Sequence, residues 1–68
     1  MKARAIIKRL KELKCVQVRQ EGSHVIMNCG ACQAPIPVHP SEEITGRLLY
    51  RIEWEFEPCL GKRWLVKR

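Results

Sequence analysis

The sequence predicts an α+β fold of order α-β-β-β-α, a three-stranded antiparallel sheet with two helices on one face. Three observations predict it: an amphipathic repeat over Ala3 to Lys14, three strand-like runs separated by glycine turns between Cys15 and Val38, and a second helical face over Thr45 to Glu57. A sheet with one apolar face needs cover, and two helices supply it. In 68 residues this makes one small domain with a thin core and little room for a deep pocket.

The first helix follows from Ile6, Ile7, Leu10 and Leu13 at helical spacing, with Lys2, Arg4, Lys8, Arg9, Lys11 and Glu12 filling a basic outer face. Cys15 to Gln20 then alternates, so Val16 and Val18 are expected on the core side and Gln17 and Arg19 on the other. Gly22-Ser23 forms a two-residue turn, and Val25-Ile26-Met27 is the second strand. A second turn spans Asn28 to Gln33, and Ala34 to Val38 is the third strand. Pro35 and Pro37 donate no ladder bonds, which puts this strand at an edge.

The second helix rests on Leu48, Ile52 and Phe56 on one face, with Leu49 beside them and Pro58 as its stop. Ile52 to Glu57 also alternates as a strand would, and the need to cover the sheet decides for helix. The tail from Cys59 carries Trp64-Leu65-Val66 and reads either as frayed or as an extra strand. Trp54 and Trp64 are open to base stacking, partner burial or core packing.

Thirteen Lys and Arg against seven Asp and Glu give a net charge of +6. Such a surplus favours a polyanion, nucleic acid before membrane. No apolar run is long enough to span a bilayer, and the first residues lead into a helix instead of a signal peptide, so a cytoplasmic chain is expected.

The hairpin register delivers the chemistry. Gly22-Ser23 as a type II′ turn pairs Glu21 with His24, Gln20 with Val25, Arg19 with Ile26 and Val18 with Met27. His24 then opens the returning strand and points away from the helices. Matching apolar faces pairs Ile36 with Met27 and Val38 with Val25, which sets His39 opposite His24. Two imidazoles on a basic surface suit metal-independent RNA cleavage, one taking the ribose 2′-hydroxyl proton and the other protonating the departing 5′ oxygen. Arg19 is placed to steady the phosphorane and Glu21 to orient His24, with Gly22 shaping the turn. Ser23, Lys8, Arg9 and Lys11 complete the candidate RNA contacts.

Val18-Arg19-Gln20-Glu21-Gly22-Ser23-His24, followed by Ile36-Pro37-Val38-His39 and Ile44-Thr45-Gly46-Arg47-Leu48, resembles the HicA family of toxins in order and spacing. The resemblance covers residues 1 to 57 as a HicA-like domain and leaves 58 to 68 as a basic tail with no separate domain. It implies a fold like that of double-stranded-RNA-binding domains and a messenger-RNA interferase with His24 as its essential residue. The implied partners are messenger RNA and a HicB-like antitoxin that covers the active surface. No cofactor, metal or membrane is called for, and a homodimer is left open.

Two readings from other classes stand beside this one. The first is a non-catalytic RNA-binding module of the same fold. The second is a zinc or thiol module built on Cys15, Cys29, Cys32 and Cys59. Register sets Cys15 opposite Gly30, near the Cys29-Gly30-Ala31-Cys32 turn, but a fourth ligand requires Cys59 to come round. Cytosolic thiols are expected to stay reduced, which argues against structural disulfides.

Overall fold

The computed structural model describes residues 1–38 and 43–65. Its elements are α1 (Ala3–Glu12), β1 (Val16–Glu21), β2 (His24–Cys29), β3 (Cys32–Pro37) and α2 (Gly46–Leu60), in the predicted order. The strands form one antiparallel sheet with β2 central. Both helices cover the same face: Ile6 and Leu10 of α1, Ile52 and Phe56 of α2, and Val25, Met27, Ala34 and Ile36 of the sheet share one buried cluster. Each of these side chains larger than Ala34 contributes about 1.5–3 kcal/mol on full burial. Among the described residues no helix is long and apolar enough to cross a membrane.

Helix, not strand, is the outcome over Ile52 to Glu57, and burial shows why. Ile52 and Phe56 are 1% and 0% exposed, whereas Trp54, which a strand would place beside them, is 69% exposed. Leu49 packs against the core and Leu48 does not, so the buried face is turned by one residue from the expected one. Pro58 fails to stop the helix. It falls in the last turn, where its ring orphans only the Trp54 carbonyl on the exposed side. The helix closes instead where Gly61 N–H donates to Glu57 O at 2.8 Å.

The tail is neither frayed nor a strand through Leu65; Val66 lies outside the described residues. Trp64 and Leu65 are buried in the core cluster. The Trp64 ring meets Phe56 edge-on, with centroids 5.6 Å apart. Its Nε1–H donates to Glu53 O at 2.7 Å, and Arg9 Nε donates to Trp64 O at 2.9 Å. At the other end Met1 donates from its amino group to the Glu43 carboxylate at 2.6 Å, and this hydrogen bond and charge hold the Glu43 carboxyl below its usual range.

Two register expectations need correction. The first hairpin runs as predicted from Glu21↔His24 to Arg19↔Ile26, then a bulge at Val18 resets it, so Gln17, not Val18, pairs with Met27. One extra residue flips everything upstream to the opposite face. Val16 leaves the core side, but both helices pack on β2 and β3, so Val16, Val18 and every other residue of β1 are exposed. The second hairpin is tighter than expected. Gly30-Ala31 is a two-residue turn that pairs Cys29 with Cys32, so Val25 meets Ile36 and His24 meets Pro37. The predicted pairing of His39 with His24 is wrong by two residues, although the faces are preserved. His39 itself lies outside the described residues. As expected, β3 is an edge strand, with Pro35 and Pro37 at positions whose backbone nitrogen faces outward.

The same bulge decides the cysteines. It moves Cys15 from opposite Gly30 to opposite Cys29, Cα atoms 4.5 Å apart, and the two are disulfide-bonded. The extra turn of α2 beyond Glu57 brings Cys59 to 6.3 Å from Cys32, Cα to Cα, and these are bonded as well. Expected free thiols are thus two cross-links. A single zinc centre on all four cysteines is also excluded by layout: Cys15 and Cys32 flank β2, roughly 10 Å apart at two strand spacings. One tetrahedral ion cannot span that gap.

Candidate active site

The site is built by the first hairpin. Gly22 has φ +58° and Ser23 stays at negative φ, the pattern of a type II′ turn, whose twist matches the flanking strands. The turn makes His24 the first residue of β2. Val25 faces the core, so its neighbour His24 faces the opposite, open side of the sheet and is exposed. Nothing in the core constrains the imidazole.

Three of the candidate residues meet there. Glu21 is the cross-strand partner of His24. Arg19, two residues back on the same face, donates from Nε to the Glu21 carboxylate. Arg19 is thus partly neutralised before any phosphate arrives, a feature the alternating pattern alone did not reveal. Gln20 Nε2 donates to Gly22 O at 3.1 Å and braces the turn. Ile26, behind His24 on the open face, is buried although it stands apart from the core cluster; Arg19 and Pro35 are its cross-strand neighbours.

The other candidates are elsewhere. Lys8, Arg9 and Lys11 lie on α1, across the sheet from the face that carries His24. Lys8 and Lys11 are exposed. Arg9 is half-buried: it donates to Trp64 O and pairs with Glu12 at 3.5 Å. Arg9 therefore ties the tail to α1, through a hydrogen bond that uses only its Nε–H. The sequence signal for this is the apolar run Trp64-Leu65-Val66 in a basic tail, whose backbone needs polar partners once it is buried.

Gly22→Ala tests the turn. Open space surrounds the position, so an added methyl meets no atom within 4 Å, but φ +58° is costly for any residue with a Cβ. A loss of about 1–2 kcal/mol of stability is expected in thermal unfolding, together with weakened function through displacement of His24. Unchanged stability would show that the turn is not held in this conformation.

The arrangement presents one imidazole, an acid and a guanidinium on an open surface, which suits proton transfer on a large, accessible substrate. Comparison with known proteins identifies the family. The family model described as the HicA toxin of bacterial toxin-antitoxin matches residues 3–57, from the start of α1 to the last turns of α2. No curated protein and no solved structure matches the chain. With most of the chain matched, including all three strands and the His24 turn, the chain belongs to the HicA toxin family of bacterial toxin-antitoxin systems.

Proposed function

We propose that the chain is an endoribonuclease that cleaves messenger RNA without a metal, with His24 as its catalytic residue. The observation that carries this reading is the position of His24, delivered by the Gly22-Ser23 turn to the exposed start of β2 inside the matched family segment. His24 takes the proton of a ribose 2′-hydroxyl. The 2′ oxygen then attacks the adjacent phosphorus, and the 5′ oxygen leaves, giving a 2′,3′-cyclic phosphate. Pairing of Pro37 with His24 removes the register argument for His39 as the acid, so water protonates the departing oxygen in this reading. Glu21 orients the imidazole, and the Arg19 N–H groups not bonded to Glu21 serve the phosphorane.

Membership of the family implies pairing with a HicB-type antitoxin. In this reading the antitoxin acts by covering the His24 face. The test is incubation of purified chain with RNA in excess chelator, followed by analysis of the new ends. Cyclic phosphate termini, suppressed by the co-purified antitoxin, are expected. RNA that is bound yet stays intact would replace the reading with that of a non-catalytic RNA-binding module.

A further inference from the structure

Among the described residues, the face that carries His24 is poorly supplied with free positive charge. Arg19 is compensated by Glu21, and no other Lys or Arg lies on the open side of β1, β2 or β3. A nuclease of a polyanion needs its phosphate affinity from somewhere, and the cations of α1 sort into two groups. Lys2 and Arg9 are paired with Glu43 and Glu12. Among the described residues, Arg4, Lys8 and Lys11 have no carboxylate partner.

Those three recur at i, i+4 and i+7, so they share one side of α1 and form a row about 10 Å long. Together with Ala3, Ile7 and Val38 they line a groove of about 830 Å³; Lys2 and Glu12, both already paired, complete its wall. Val38 also joins the groove to the site. Its backbone N–H donates to Ser23 O at 2.7 Å, and Ser23 precedes His24. The groove therefore ends one hydrogen bond away from the turn that presents the imidazole.

We propose that this groove is the phosphate track of the RNA substrate. The backbone of a single strand lies along Arg4, Lys8 and Lys11 and passes Val38 to reach Ser23 and His24 round the tip of the hairpin. A row of charges suits a strand of phosphates better than one small anion, and affinity gained in this way carries no base preference. Binding is thereby separated from chemistry: α1 holds the strand, and the opposite face of the sheet cuts it. The inference rests on the ribonuclease reading.

The test uses a labelled 2′-O-methyl RNA oligonucleotide, which cannot be cleaved, titrated with the full chain by fluorescence anisotropy at several salt concentrations. Replacing all three cations (Arg4→Gln, Lys8→Gln, Lys11→Gln) is expected to weaken binding at least about tenfold. It should also flatten the log–log salt slope by about 2, at roughly 0.7 per phosphate contact. A control of equal charge change away from the groove (Lys14→Gln, Lys62→Gln, Arg63→Gln) should leave most of the slope intact. Circular dichroism checks the fold; should the triple variant lose it, Lys8→Gln alone must lower the slope by about 0.7. Equal losses in the two triple variants, or binding by the groove variant that matches the intact chain, would overturn the track while leaving the ribonuclease reading standing. No RNA binding by the intact chain would overturn both.

Discussion

Replacing His24 with alanine is expected to lower RNA cleavage by about 10²–10⁴-fold, the contribution of a positioned general acid or base. The chain should keep its fold. His24 is exposed at the end of β2 and outside the buried cluster, so truncation opens no cavity, and surface substitutions of this kind usually change stability by about 0.5 kcal/mol or less. The two measurements must be made together: initial cleavage rates in chelator and the thermal midpoint. Expression in cells gives a third, since the intact chain should arrest growth and deplete messenger RNA where the variant does neither. A variant that cleaves as fast as the parent would sink the mechanism. A variant with both lost activity and a fallen midpoint would instead assign His24 to the architecture.

Much of this site was legible in the sequence because a two-residue turn leaves little freedom. Once Gly22-Ser23 is fixed as the turn, Glu21↔His24, Gln20↔Val25 and Arg19↔Ile26 follow, and parity sends His24 to the open face. Legibility fails at Val18. A bulge has no strong sequence signature here, and an apolar Val16 and Val18 at period two invite the reading of a buried strand. In the structure both helices pack against the β2 and β3 side, and β1 overhangs with all six residues exposed. Apolar alternation identifies a strand but does not say whether a helix reaches it.

The second hairpin failed for a different reason. Gly30-Ala31 is as good a type II′ turn as Gly22-Ser23, yet Asn28 and Gln33, the polar ends of the segment, set the bounds of a longer turn. Cys29 and Cys32 flanking it suggest a metal or thiol motif, when they are the last rung of a ladder, Cys29 bonded to Cys15 just before β1 and Cys32 to Cys59 of α2. The packed tail was illegible because its partner contacts are distant: Arg9 reaches Trp64 across 55 positions of sequence. Sequence periodicity reports local geometry and says little about which distant segment closes the core.

Reduction of the disulfides is expected to remove most of the stability of the chain. In the chain-entropy account Cys15–Cys29, 14 positions apart, contributes about 3 kcal/mol and Cys32–Cys59, 27 apart, about 3.5 kcal/mol. A domain of this size has roughly 3–10 kcal/mol in total. Cys59 is exposed and Cys32 half-buried, whereas Cys15 and Cys29 are each 5% exposed, so reductant should open the Cys32–Cys59 bridge first. Alkylation under graded reductant, read by mass spectrometry, should label Cys32 and Cys59 before the other pair, with the first fall in thermal midpoint. Opening Cys15–Cys29 should do more local damage. No helix covers β1, its ladder is interrupted at Val18, and this bridge clamps the end away from the His24 turn. Cys15→Ser with Cys29→Ser should therefore speed amide exchange along β1 and loosen the Arg19–Glu21 pair beside His24. Cys32→Ser with Cys59→Ser should free the end of α2 and leave β1 protected. Equal exchange in both variants, or a midpoint unmoved by reduction, would show that the bridges do not hold these elements.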